Sequence, residues 1–397
     1  MNILYICVSD PRLTNNGAEQ RTNLLWKALL EKGTVYTIAY DNQAAIGLSY
    51  ISSCNPICIY NPRTYHYNRT LKGFFYGVLN HLCGLATMPF KFPSDYKPEE
   101  IFKGVEFDIV VSRYMQLPAK YHLWNIAPTF VDIDDHPIQA FETIGQTRLP
   151  NVLKGLGRYL VDVQFNMVMK KVIGVWLINK EQINDSYAEV VFLPNIPYMP
   201  SVNYNGITSE KDYLFTIGLM SYEPNYSGVD KFLNEIWPDF HRIYPKVKYL
   251  IGGKGAPENF VEGWKKIDGV EYRGYIDNLE EMYEGCCATV VPIYQGAGTC
   301  IKTLESLAYS RVCLSTPFGA RGFSEKDRNG EQGLLVFNTS EEFIQAYEKI
   351  ETRKNRTILE SKARAFIEKN FSEENFRNRV WELINESLYK NRVSIQK

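Results

Sequence analysis

Residues 292–323 read PIYQGAGTCIKTLESLAYSRVCLSTPFGARGF, and this stretch decides how the chain is read. A strand-like run, Ala288 to Pro292, ends in a glycine loop, Gly296-Ala297-Gly298-Thr299. The loop opens a helical segment bearing Lys302 and Glu305, and a second strand-like run, Val312 to Thr316, follows. A glycine loop feeding a helix N-terminus offers unpaired backbone N–H groups and the positive end of the helix dipole, which suits a phosphate. Lys302 adds a full positive charge. Glu305 lies one turn further along the same face and is placed to accept hydrogen bonds from sugar or ribose hydroxyls. A diphosphate flanked by hydroxyls is the chemistry of a nucleotide-sugar.

Working outward, strand-like and helix-like segments alternate along the whole chain, the pattern of parallel sheets with helices on both faces. The first series of strand candidates is Ile3–Val8, Val35–Ala39, Ile57–Tyr60, Ile109–Ser112, Thr129–Ile133, Gly174–Ile178 and Val190–Leu193. Between the first two, apolar Leu24, Leu25, Ala28 and Leu29 mark one face of a helix from about Gly17 to Lys32, with Gly33 read as its C-cap. A second helix covers about 153–172. Prolines and turn residues then cluster from Pro194 to Gly206, which sets the domain boundary there. A fresh series follows: Tyr213–Ile217, Lys248–Gly252, Val270–Arg273, Ala288–Pro292, Val312–Thr316 and Gly333–Val336, with helices between, including Tyr226–Phe240 and Leu279–Tyr283. The tail from Glu341 is helical, with a break near Asn370-Phe371-Ser372. The domains expected are 1–200, 201–375, and a C-terminal helix over 376–397 that packs back on the first domain.

Composition narrows the function classes. The chain has 397 residues, more than one ordinary core accommodates. A net charge of −1 argues against a nucleic-acid partner. The aromatic content of 14% is high and is read as thick aromatic cores. Eight cysteines are scattered with no CxxC pairing, which points to a reduced, cytoplasmic protein without structural zinc. MNILYICVSD is read as a first strand, not a signal peptide, and no apolar run approaches transmembrane length.

On these residues the chain resembles the GT-B glycosyltransferases of retaining family 4, the glycosyl transferases group 1, in the branch with a GxGTxxKxxE loop. The resemblance rests on Gly218-Leu219-Met220-Ser221-Tyr222-Glu223-Pro224-Asn225, then Tyr249-Leu250-Ile251-Gly252-Gly253, Gly274-Tyr275-Ile276-Asp277, the 296–308 loop and helix, and Gly319-Ala320-Arg321-Gly322. Asn15-Asn16-Gly17-Ala18-Glu19 and Pro194-Asn195 are looser marks in the first half. The fold so implied is α/β: two Rossmann-like, doubly wound domains facing a cleft. The implied activity is transfer of a sugar from a nucleoside diphosphate-sugar to a glycan or lipid-linked acceptor, with retention, in polysaccharide biosynthesis. The nucleotide-sugar is the substrate, and neither a metal nor another cofactor is expected. Donor-binding residues so implied are Gly17, Gly218, Gly296, Gly298, Thr299, Lys302 and Glu305, with Lys302 also supporting catalysis. Two departures stand out. If Glu305 is the second of the family's paired glutamates, the first falls on Ala297; and the segment after Gly218 lacks the family's usual cations, leaving Lys302 to supply the charge. The alternative reading is a non-catalytic sugar-nucleotide-binding partner subunit.

Two further segments carry expectations. In Asp132-Ile133-Asp134-Asp135-His136-Pro137, carboxylates and an imidazole crowd the carboxyl end of a strand, so Asp134, Asp135 and His136 are candidates to meet the sugar or the acceptor hydroxyl. Arg21 is a weaker candidate for charge at the donor. The aromatic and basic segment 65–93, YHYNRTLKGFFYGVLNHLCGLATMPFKFP, is a candidate for peripheral contact with the inner face of a membrane.

Overall fold

The computed structural model describes residues 1–14, 17–40, 55–60, 71, 98–134, 136–142, 150–178, 188–197, 213–296 and 300–395. The chain divides into two compact units, Met1–Pro194 joined by Glu373–Lys397, and Asn195–Ser372. Each is built on one parallel sheet.

The first unit contains β1 (Asn2–Cys7), β2 (Thr34–Tyr40), β3 (Ile57–Tyr60), β4 (Ile109–Arg113), β5 (Thr129–Ile133), β6 (Gly174–Leu177) and β7 (Glu189–Phe192). They lie in the order β3-β2-β1-β4-β5-β6-β7, with Ile3 opposite Val35 on one side and Ile109 on the other. Ile3 to Cys7 are fully buried, the mark of a strand covered on both faces. The second unit contains β8 (Tyr213–Ile217), β9 (Lys248–Gly252), β10 (Val270–Gly274), β11 (Ala288–Val291), β12 (Cys313–Ser315) and β13 (Leu334–Val336), in the order β10-β9-β8-β11-β12-β13. Both sheets are doubly wound, and the strand order reverses between β1 and β4 and between β8 and β11. Ligands of such sheets sit beyond the carboxyl ends of the strands at that reversal. The expected α/β, doubly wound architecture is therefore present in both units, and each strand candidate lies where its apolar run put it.

The aromatic residues fill the second unit's core. Phe232 packs its ring against Tyr249 and Phe343 at 5.1 Å each, and against Phe337 at 6.0 Å. The helix expected over Tyr226–Phe240 is two helices, Glu223–Glu235 and Trp237–Ile243. Pro238 lacks the N–H a continuous helix needs, so the chain restarts there. Gly33 is not a left-handed C-cap. A Cβ there would lie 2.6 Å from Ile3 Cδ1 and 2.8 Å from the Met1 carbonyl, so close packing against β1 is what requires glycine. The last helix, Glu373–Ile395, lies within the first unit. Trp381 donates its indole N–H to the Ala28 carbonyl at 2.7 Å, and Ser387 donates to Glu189 at 2.9 Å. No described helix is long and apolar enough to cross a membrane. The candidate membrane segment 65–93 lies outside the described residues apart from Leu71.

Candidate active site

In the second unit, glycines bring backbone together at the β8/β11 reversal. A Cβ on Gly253, which has φ +120°, would lie 1.7 Å from the Gly218 carbonyl oxygen. One on Gly228 would lie 2.0 Å from the Pro292 carbonyl oxygen. These two contacts draw the β9 end and the helix Glu223–Glu235 against the ends of β8 and β11. Asn225, from that helix, donates to the Leu219 carbonyl at 2.8 Å and holds the turn after β8.

Above this floor lies Lys302, in the first turn of the helix Ile301–Ala308. Its Cε would be 2.7 Å from a Cβ on Gly218. Any side chain at 218 would displace the ammonium arm, so Gly218 and Lys302 form one constellation. The loop approaching from β11 is pinned to the same ground. Gln295 donates to both carboxylate oxygens of Glu223 at 2.7 and 2.8 Å, and Gly296 takes φ +125°, a backbone open to glycine. Ala297, Gly298 and Thr299 lie outside the described residues. The Gly319 turn is tied in from the far side: Thr303 donates to the Gly319 carbonyl at 2.7 Å, and the Gly319 N–H donates to Thr316 Oγ1 at 3.1 Å.

Glu305 sits one turn beyond Lys302 and is half-buried. Burial pushes its carboxyl up to about 7, against the opposing pull of the Lys302 charge. Among the described residues no side chain donates a hydrogen bond to it. A half-buried acceptor without a donor among the described side chains, beside an ammonium at a sheet's reversal, is suited to ligand hydroxyls.

The first unit's reversal is held by charge. Arg21, from the helix Gly17–Leu30, grips Asp132 through Nε at 2.8 Å and Nη2 at 2.5 Å, and donates to the Pro194 and Leu193 carbonyls at 3.0 and 3.1 Å. Arg113, at the end of β4, contacts Asp132 and donates to both oxygens of Asp134 at 3.0 and 2.7 Å. The Tyr114 hydroxyl donates to Asp134 at 2.7 Å, and Tyr114 takes φ +65°, uncommon for a residue with a side chain. Burial pushes the Asp134 carboxyl up, but Arg113, Arg21 and the Tyr114 hydroxyl outweigh it and hold the group below its ordinary value. Arg21 is thus spent on Asp132 inside the fold and is not an exposed charge. His136 caps the short helix Pro137–Ala140, its Nδ1 accepting from the Ile138 N–H at 3.3 Å, and burial holds its imidazole below the usual range. Asp135 lies outside the described residues. Gly17 opens the helix Gly17–Leu30, whose approach loop is fastened by Asn23 donating to the Pro11 carbonyl at 2.7 Å.

Arg113 and Tyr114 escaped the sequence reading, and Asn225 was noted there only as part of the segment after Gly218. A signal existed for Arg113: a cation closing an otherwise apolar strand run. Among the described residues no group of His, Cys, Asp or Glu side chains could hold a metal ion.

Comparison with known proteins agrees with the fold. Residues 211–352 match the family model for glycosyl transferases group 1. An uncharacterized 44.6 kDa protein in the cps region of Klebsiella pneumoniae is 26% identical over 222 residues, half of this chain and 55% of that relative's length. Sucrose-phosphate synthase from Thermosynechococcus elongatus superposes with a TM-score of 0.66 at 11% identity, covering 98% of this chain and 99% of that one. An E. coli trehalose-6-phosphate structure bound with UDP-2-fluoro glucose superposes with a TM-score of 0.65 at 9% identity, covering 96% and 98%. The chain has the two-unit α/β fold of the GT-B glycosyltransferases, and its residues 211–352 carry the pattern of the glycosyl transferases group 1.

Proposed function

We propose that the protein is a retaining glycosyltransferase, moving a sugar from a nucleoside diphosphate-sugar to a hydroxyl of a glycan or lipid-linked acceptor. The observation that carries this reading is the Lys302 arm lying over Gly218 at the β8/β11 reversal, with Glu305 one turn on. The diphosphate lies against Lys302 and the amides of the 296–299 loop, including Gly296, Gly298 and Thr299. The Glu305 carboxylate accepts from the ribose hydroxyls. As the glycosidic bond breaks, negative charge grows on the diphosphate, and a preorganised ammonium and N–H groups stabilise it in place. The acceptor proton passes to the leaving phosphate, so neither a protein base nor a metal ion or other cofactor is needed. Gly17, without a Cβ, gives its backbone room to approach a diphosphate, and Asp134, Asp135 and His136 position the sugar and acceptor. Asp134, kept anionic by Arg113, suits an acceptor of hydroxyl hydrogen bonds better than a proton shuttle. The structure bound with UDP-2-fluoro glucose supports a nucleotide donor, and the relative in the cps region supports a place in glycan assembly.

A thermal-shift screen over nucleoside diphosphates and their sugars tests this. A ligand at a hundred times its Kd stabilises by about 2.7 kcal/mol. Stabilisation by one nucleotide, lost in Lys302→Ala and Glu305→Ala, is expected; stabilisation kept in both variants would place the donor elsewhere. A second reading, a sugar-nucleotide-binding subunit without catalysis, draws on Ala297 where many relatives carry the first glutamate. It predicts the same nucleotide binding with neither sugar transfer nor slow donor hydrolysis.

A further inference from the structure

Beside the loop that follows β11 stands a polar pair, Gln295 and Glu223, to which the donor contacts above give no role. Gln295 donates through Nε2 to both carboxylate oxygens of Glu223, at 2.7 and 2.8 Å, although the two residues are 72 apart in sequence. Both residues are exposed, and neither has another side-chain partner among the described residues. An exposed contact of this kind adds little to folding, yet its place is closely fixed. Glu223 opens the helix Glu223–Glu235, and Lys231 of the same helix sets its ammonium 4.4 Å from the centre of the Tyr294 ring. On the other side of Gln295, Gly296 is buried with φ +125°, and a Cβ there would lie 3.6 Å from Pro224 and 3.7 Å from the Tyr222 hydroxyl. Gln295 is therefore held from both sides against the first turn of that helix. The same turn carries Asn225, whose Nδ2 would be 3.1 Å from a Cβ on Gly218, the position on which Lys302 Cε closes at 2.7 Å. The pair thus lies within one helical turn of the residues that border Lys302.

Given the donor site proposed above, with the ribose at Glu305 and the diphosphate at Lys302, we infer that Glu223 and Gln295 are a specificity-determining pair that reads ring hydroxyls of the transferred sugar. From Glu305 to Lys302 is one turn back toward the start of the helix Ile301–Ala308. A donor laid from ribose to diphosphate in that direction carries its sugar past the helix start, toward the segment that ends at Gly296. Of residues 296–299 only Thr299 has a polar side chain, so hydroxyl recognition falls to side chains that border the loop. A carboxylate has about four lone-pair sites, and Gln295 engages only one on each oxygen of Glu223. The amide keeps its Oε1 as a further acceptor, so the pair can accept from two neighbouring hydroxyls at once. The carboxylate also sets the class of sugar. It accepts from the hydroxyls of a neutral sugar and repels the carboxylate of a uronic acid, so a neutral, hydroxyl-bearing sugar is the group transferred.

The test is calorimetric titration of wild type, Glu223→Ala and Gln295→Ala with nucleoside diphosphates, which lack the sugar, and with the sugar nucleotides built on them. The probes are UDP with UDP-glucose and UDP-glucuronate, and GDP with GDP-mannose and GDP-mannuronate. Both variants should keep the wild-type Tm, because both residues are exposed. The Kd of the nucleoside diphosphate should be unchanged in both. The Kd of the neutral sugar nucleotide should rise about tenfold or more in Glu223→Ala, the loss that follows removal of a charged acceptor, and should rise less in Gln295→Ala. Wild type should bind the uronate more weakly than the neutral sugar nucleotide, and Glu223→Ala should narrow that gap. A wild type that binds neither UDP nor GDP would remove the donor site itself, and the inference with it. Where a nucleoside diphosphate binds, equal losses for it and for its sugar nucleotide would make the pair an anchor of the loop and overturn the inference alone. So would an unchanged sugar-nucleotide Kd in the folded variants, and so would a wild type that takes the uronate as well as the neutral sugar.

Discussion

Glu305→Gln should make the unliganded protein more stable at pH 8 while removing donor binding. The side chain is half-buried and its carboxyl is pushed up to about 7 by burial, against the pull of Lys302. In the unfolded chain a glutamate titrates near 4.3. Because the folded pKa is the higher one, the folded state holds the proton more tightly. Its contribution is complete below about pH 4 and is lost as pH rises from there to about 7. Above pH 7 the folded protein carries an anion in a place that disfavours it, a cost on the order of 1–3 kcal/mol once partial exposure is allowed for. Glutamine has the same shape without the charge. Its Tm at pH 8 should exceed wild type by about 2–6 °C, and the gain should vanish near pH 4. Donor binding should follow the opposite course. If the carboxylate accepts ribose hydroxyls, the binding form is about 90% populated at pH 8 and about 10% at pH 6, so affinity falls roughly tenfold between them. The assay is calorimetric titration of the nucleotide-sugar identified by the thermal screen, whose internal phosphates do not titrate in this range. Glu305→Gln should bind weakly and without the pH dependence. A variant that is less stable than wild type at pH 8, or that keeps the wild-type pH profile, would refute the reasoning.

Other substitutions probe the remaining links. Gly218→Ala places a methyl 2.7 Å from Lys302 Cε, the end of a flexible arm; the fold should survive with little change in Tm while the donor Kd rises about tenfold, read by the same titration. Gly253→Ala meets the rigid Gly218 carbonyl at 1.7 Å with φ +120°, so it should cost about 2 kcal/mol or more in urea unfolding. Arg113→Ala leaves Asp132 and Asp134 with one guanidinium between them and should destabilise by about 3–5 kcal/mol. In the wild type the lowered Asp134 carboxyl contributes stability present above about pH 4 and lost as pH falls further. Acid titration of the two proteins should show that loss flattened in Arg113→Ala.

Much of this was legible in the chain because apolar runs repeat at strand spacing and glycines interrupt them where backbone must bend or approach. The candidate strands of both series and the break at Asn370 to Ser372 follow from local pattern. The role of Gly33 was misread because a glycine after a helix looks the same whether it turns the chain or makes room for Ile3. The helix interrupted near Trp237 was read as continuous because its apolar spacing runs through the proline.

What the sequence by itself determined is the doubly wound α/β class, because strand and helix periodicity are local properties of the chain. Only the tertiary structure decided which groups remain available. It consumed Arg21 and Arg113 on Asp132 and Asp134, brought Lys302 over Gly218, and left Glu305 among the described side chains without a donor. Charges distant in sequence lose their water together on folding, and the partner each then finds decides whether it is neutralised in the fold or left to meet a ligand.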